Sequence, residues 1–279
     1  MNGATDKPGI TLACFGLVGT LVTDEGLIER SFAEAIATQG VVSGTSAFAR
    51  RMSQVHQARG RSAADVLRLL FPDNEARAQA AQLAFDRALA DAVGRVAIKL
   101  VPGAVQMLDE MRSAGAQVAV LTTLPKRVHD LVLDAAGLRR HIDLALRADD
   151  VARGFPAPDL VLTAVLRSGT GSVGEVAVVH STGAGVEAGR RSGAGVVAGV
   201  LTGPHALQRL QSAGATHILD SVAELPDIVS AVAGAGRPAQ TASENGDSGR
   251  VEAGEAVHAD PASISIPPQV PLERRRSGR

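Results

Sequence analysis

The chain has no Trp and no Tyr, and only 6 Phe and 1 Cys among its 279 residues. Without aromatic platforms, single-stranded nucleic acid has little to stack on. A formal net charge of -1 supplies no field to draw a phosphate backbone or an anionic membrane surface. Neither nucleic acid nor a membrane is therefore an expected partner. The lone cysteine, Cys14, sits inside the apolar run 10–15. It can build neither an internal disulfide nor a multi-cysteine zinc site, and it reads as a core residue. No stretch approaches the ~18 apolar residues of a membrane span. The opening MNGATDKPG lacks a basic region followed by an apolar one, so a cytoplasmic location is expected. Lysine is scarce too, confined to Lys7, Lys99 and Lys126.

What is present is a repeating alternation. At 45% hydrophobic and 20% charged, the chain can bury an ordinary globular core. Short apolar, β-branched runs at 10–15, 118–121, 142–146, 176–179, 196–201 and 217–219 are separated by helical patterns. Strand and helix in turn predict a parallel sheet covered on both faces. Pro102, Pro125 and Pro204 are placed to open helices over 102–114, 125–136 and 204–213, and Gly115, Gly137 and Gly214 to cap their ends. Residues 25–98 break the alternation. They hold helical spacing at 27–37, 63–70 and 75–93 and no strand-like run. An all-helical insertion directly after the first strand sits where open α/β sheets bind ligands, so it is expected to act as a lid.

From 234 onward periodicity stops, and Gly, Pro, Ala, Ser and charged residues dominate. Such a composition cannot offset its ordering entropy by burial and predicts a disordered tail, with 263–276 as a candidate docking motif for a protein partner. The implied organisation is a flexible N-terminus at 1–9, an α/β core at 10–24 and 99–233, a helical cap at 25–98 and the tail at 234–279.

Four segments carry a resemblance. FGLVGTLVTDEG (15–26), VAVLTT (118–123), DDVARGFPAPDLVLTAV (149–165) and VAVVHSTGAGVEAGRRSGAGVVAGVLTG (176–203) resemble, in order, the four motifs of the haloacid dehalogenase-like (HAD) superfamily. The nearest branch is the phosphonatase-like hydrolases, and the likeness spans 10 to about 232. It implies a HAD-like Rossmannoid α/β fold with a helical cap inserted after the first strand.

The resemblance also implies phosphoaspartate chemistry with Mg²⁺, and here the sequence departs from it. The family's nucleophilic, metal-binding Asp falls at Gly16, which has no side chain to attack phosphorus or bind metal. Val18 takes the position of the second Asp or Ala and cannot protonate a leaving group. Thr122 fits the second motif, with Thr123 beside it. The third motif's Lys or Arg falls at Phe155, ahead of the matching Pro156, Ala157, Pro158 and Asp159, and brings no charge to a phosphoryl transition state. The two metal carboxylates of the fourth motif fall at Ser181 and Gly185, and His180 takes the place of that motif's leading Gly. The cap lysine that phosphonatases use for a Schiff base has no counterpart, because 25–98 contains no Lys.

Nucleophile, counter-cation and metal carboxylates act as a unit, so their joint loss predicts no catalytic residues, no Mg²⁺ and no other cofactor. What survives is an anion cradle: the backbone N–H groups of Gly19 and Thr20 with Thr122, Thr123, Ser181 and Thr182. His180 reads as a polar residue at a loop mouth. His56, His129, His141, His205, His217 and His258 read as surface or capping groups. Asp149, Asp150 and Asp159 read as turn and cap acceptors, and Arg153 as a candidate substitute cation. The expectation is a catalytically inactive HAD-fold protein that binds a small anionic ligand or a protein partner through cap or tail. The alternative is an active hydrolase of a small phosphorylated metabolite. The substitutions Gly16→Asp, Phe155→Arg, Ser181→Asp and Gly185→Asp together are expected to restore Mg²⁺ affinity.

Overall fold

The computed structural model describes residues 9–234. The expected N-terminus at 1–9 and tail at 234–279 otherwise lie outside the described residues. The chain opens with β1 (Leu12–Phe15) and then enters the cap: α1 (Leu27–Thr38), α2 (Ser46–Gln57), α3 (Ala63–Leu70) and α4 (Glu75–Arg95). It returns as α5 (Ala104–Ser113), β2 (Gln117–Thr122), α6 (Lys126–Ala135), β3 (Leu144–Arg147), α7 (Asp159–Ser168) and β4 (Val176–His180). It closes with α8 (Gly183–Ser192), β5 (Val196–Val200), α9 (Leu207–Ser212), β6 (His217–Leu219) and α10 (Leu225–Gly234).

The strands form one parallel six-stranded sheet in the order β3-β2-β1-β4-β5-β6. Period-two alternation divides its two faces. Ala13, Phe15, Val118, Val120, Ala177 and Val179 face α5 and the larger core cluster. Leu12, Cys14, Ala119, Leu121, Val176 and Val178 face α7 and α8. Cys14 is 1% exposed, and burial pushes its thiol up to about 12, so it is an inert core group. Chain order reverses between β1 and β4, which places the sheet's crevice at their carboxyl ends.

Side chains start three of the cap helices. Thr45 accepts the Phe48 N–H at 3.2 Å, Ser62 accepts the Asp65 N–H at 3.2 Å, and Asn74 accepts the Arg77 N–H at 2.8 Å. Phe32 of α1 packs on Phe85 of α4 with ring centroids 4.4 Å apart. The sequence pattern misses α2, whose only buried residue is Val55. Gly115, Gly137 and Gly214 have φ of 91°, 65° and 98°, the left-handed conformation expected of helix ends. The prolines stand slightly outside their helices, since α5 begins at Ala104, α6 at Lys126 and α9 at Leu207. Among the described residues, no helix is long and apolar enough to cross a membrane.

Candidate functional site

The switch point sets the ends of β1 and β4 side by side. Phe15 pairs with Val179, and the Gly16 N–H extends the ladder to the Val179 carbonyl at 2.9 Å. One residue further on, Gly16 and His180 come abreast on the face that carries Cys14 and Val178. An ideal Cβ placed on Gly16 lies 2.8 Å from His180 Nε2 and 2.8 Å from Thr20 Oγ1, closer than real Cβ contacts come. A Cβ on Gly185, in the first turn of α8, runs into the same imidazole. Phe155, 2% exposed, meets the ring edge-on with centroids 5.1 Å apart at 86°. Gly16, Phe155, His180 and Gly185 are thus one packed unit. The loop-mouth reading of His180 is corrected: the residue is 7% exposed and stands at the centre of the site.

The ring's protonation follows from its neighbours. His180 Nδ1 accepts the Thr182 N–H at 3.2 Å, and the Thr182 hydroxyl lies 3.1 Å from the same nitrogen. Because Thr182 Oγ1 accepts the Gly185 N–H at 3.3 Å, its own proton is free to point at Nδ1. The hydrogen-bond network therefore assigns the ring proton to Nε2, which lies over Gly16. Burial pushes His180 down to about 4, with His205 adding to the shift, so the imidazole is neutral near pH 7.

The expected anion cradle divides. Thr122, Thr123 and Thr182 line a pocket above this floor, whereas Gly19, Thr20 and Ser181 do not. The Gly19 N–H donates to the Val22 carbonyl at 2.6 Å and the Thr20 N–H to the Leu17 carbonyl at 3.3 Å, so the turn itself consumes both amides. Thr20 and Ser181 are fully buried. Thr20 Oγ1 donates to Ser181 Oγ at 3.1 Å and accepts the Ser181 N–H at 3.2 Å. At the start of α8 the Gly183 N–H goes to His205 Nδ1 at 2.8 Å.

The pocket opens between this floor and the cap and is small, with a cavity volume of about 80 Å³. Leu17, Val18, Ile28, Phe32, Val66, Leu121, Leu124 and Phe155 give it mostly apolar walls. Its charged groups are Asp24, Arg59 and Arg61. Asp24 and Arg59 form an ion pair, 15% and 12% exposed, and Arg59 also reaches Glu29 at 3.6 Å. Arg61 is exposed at the rim. Gly60, with φ of 92°, lies on Thr182 so closely that an added Cβ falls 2.8 Å from the Thr182 Cβ. The cap loop therefore rests on the end of α8.

The remaining candidates lie elsewhere. Arg153 pairs outward with Asp159 at 2.8 Å and is 72% exposed, so it does not take the place of a cation at Phe155. Asp150 accepts the Arg147 N–H at 2.8 Å, a capping role. Lys99 pairs with Glu25 at 2.8 Å and Lys126 with Asp130 at 2.6 Å, and neither lines the pocket. His56 meets Glu29 at 3.1 Å and His141 meets Asp109 at 2.6 Å. Among the described residues, no group of three or more His, Cys, Asp or Glu side chains gathers as metal ligands do.

Comparison with known proteins agrees with this architecture. A family model described as haloacid dehalogenase-like hydrolase matches residues 10–193. Phosphonoacetaldehyde hydrolase of Bordetella pertussis is 32% identical over 154 residues, covering 46% of this chain and 55% of that protein. The enzyme of the same name from Vibrio cholerae is 27% identical over 158 residues, covering 47% and 58%. The chain thus spans little more than half the length of the curated relatives it matches. A solved phosphonoacetaldehyde hydrolase-like protein of Oleispira antarctica superposes with a TM-score of 0.72 at 21% identity, over 82% of this chain and 94% of that one. A hydrolase of Pseudomonas syringae gives 0.69 at 23% identity, over 80% and 99%. At such identities the structures speak for the fold.

Proposed function

The chain belongs to the haloacid dehalogenase-like hydrolase family, and we propose that it uses the family's pocket to bind a small ligand, without phosphoaspartate turnover and without Mg²⁺. The observation that carries this reading is the chemistry of the pocket floor. Position 16 is a glycine under an imidazole, position 155 a buried phenylalanine, position 181 a serine tied to Thr20, and position 185 a glycine. Attack on phosphorus needs a nucleophilic oxygen, and Mg²⁺ needs near-octahedral oxygen ligation, usually with one or two carboxylates. The one carboxylate among the lining residues, Asp24, is engaged by Arg59. The residues present do not fit the metal. They do fit an uncharged or singly charged group on an apolar body, met by His180 Nε2–H and the hydroxyls of Thr122 and Thr123.

A second reading is an active hydrolase of a small phosphorylated or phosphonate-related metabolite, favoured by the names of the curated relatives. One experiment separates the two. Purified protein with Mg²⁺ is assayed against an aryl phosphate and a panel of phosphorylated metabolites, beside the Thr122→Ala variant. The proposal expects both proteins to match the buffer rate. Turnover by the wild type that Thr122→Ala abolishes would establish the second reading and discard the first.

A further inference from the structure

Resting on that reading of the pocket, we infer that His180 is a built-in occupant of the hollow at the switch point, so that imidazole at 180 and acidic side chains at 16 and 185 exclude one another. Three observations converge on this. The ring lies against both glycines at distances that no Cβ tolerates. The parallel register brings residues 16 and 180 abreast on one face, within reach of one another. The ring is also clamped, by Thr182 at Nδ1 and by a T-shaped contact with Phe155, and cannot swing aside without losing both contacts. Close-packed interiors relax only partly around an added atom. A carboxylate at 16 or 185 therefore has no volume to enter while His180 stands.

This revises the expectation from sequence that four substitutions suffice to restore metal binding. Gly16→Asp, Phe155→Arg, Ser181→Asp and Gly185→Asp supply the charges and remove the Phe155 contact, but leave the imidazole, held at Nδ1 by Thr182, in the space the new side chains need. A fifth change, His180→Gly, vacates it.

The test compares the full chain carrying the four substitutions with the full chain carrying all five, titrating Mg²⁺ by calorimetry and following the fold by circular dichroism. The four-site protein is expected to give no Mg²⁺ heat and to melt below the wild type, and the five-site protein to bind Mg²⁺. Equal Mg²⁺ binding by both proteins overturns the inference, as does absence of binding by both when both are folded. Should either fail to fold, His180→Gly alone decides. It is expected to melt several degrees below the wild type and to recover part of that loss in millimolar imidazole, which refills the vacated space. An identical imidazole response in wild type and variant overturns the inference. None of these measurements reads phosphate turnover by the wild type, so a failure here is distinct from a failure of the pocket reading.

Discussion

A single methyl group at position 16 probes the packing of the site. In Gly16→Ala the new carbon stands 2.8 Å from His180 Nε2, on a ring held at Nδ1 by Thr182, and 2.8 Å from Thr20 Oγ1, which is bonded to Ser181. Overpacking of this kind costs about 1–3 kcal/mol. Chemical denaturation should show that loss in the wild-type background and a smaller one in His180→Gly, where only the Thr20 contact remains, since residues in contact do not behave additively. An equal cost in both backgrounds would dissolve the packed unit. The ring also carries a pH signature. In the unfolded chain it titrates near 6.5, and in the fold it is pushed down to about 4. Between those values the unfolded state binds a proton that the native state does not. Stability should therefore fall as pH drops from about 6.5 toward 4, by on the order of 3 kcal/mol from this group, and be independent of it above that window. Burial also lowers His129 and His205, and both are present in wild type and variant, so the comparison reads His180 together with its coupling to His205. The difference in denaturation midpoint between wild type and His180→Gly, followed from pH 7 to pH 4.5, measures it; parallel curves would refute it. At this scale the sequence discloses only half the site. The departures at Gly16, Phe155, Ser181 and Gly185 are readable because a motif announces what should stand there. What fills the vacated volume depends on a register between distant strands. The available clue was a bulky His180 at a motif position that calls for glycine, paired with glycine at two positions that call for acid. The turn that consumes the Gly19 and Thr20 amides left no comparable trace.

The strands and most helices of the core were legible at the scale of elements, because a parallel sheet buried on both faces writes itself as short apolar runs separated by longer periodic ones. The helix α2 was not, since a helix that buries only Val55 has no apolar stripe to read, and Thr45 alone starts it. That weakly anchored part of the cap ends at Arg59 and Gly60, whose contacts hold the cap to the rest of the site. Arg59 pairs with Asp24 of the segment between β1 and α1 and reaches Glu29 of α1. Removing one member of a largely desolvated pair leaves the other charge uncompensated. Arg59→Ala is expected to cost roughly 1–3 kcal/mol, a discounted share of what fully buried pairs lose. The loss should be local, with faster amide hydrogen exchange in α2 and α3 and unchanged protection in β1, β2 and β4. Exchange that stays the same in the cap, or rises equally in the sheet, would mean that the pair does not hold the lid. Gly60→Ala provides a second handle, because its positive φ and its contact with Thr182 both resist a side chain. It is expected to loosen the same two helices.

The whole molecule can be asked whether it binds the family's metal without any assay of chemistry. A species that binds the native state and not the unfolded one stabilises by RT ln(1 + [L]/Kd). For a site with Kd of about 1 mM, 10 mM Mg²⁺ adds roughly 1.4 kcal/mol, which in a domain of this size raises Tm by about 3–6 °C. A net charge of -1 leaves little general field for divalent ions to screen, so a nonspecific contribution is small. The pocket floor offers Mg²⁺ an imidazole whose inward nitrogen carries a proton, one aromatic ring and two glycines, while Asp24 is held by Arg59. The wild-type Tm is therefore expected to move by less than about 1 °C between metal-free buffer and 10 mM Mg²⁺ at matched ionic strength. The five-site variant should move by several degrees. A wild-type rise of that size, absent with an equal concentration of a monovalent salt, would show that the chain assembles a metal site from groups other than those at 16, 181 and 185.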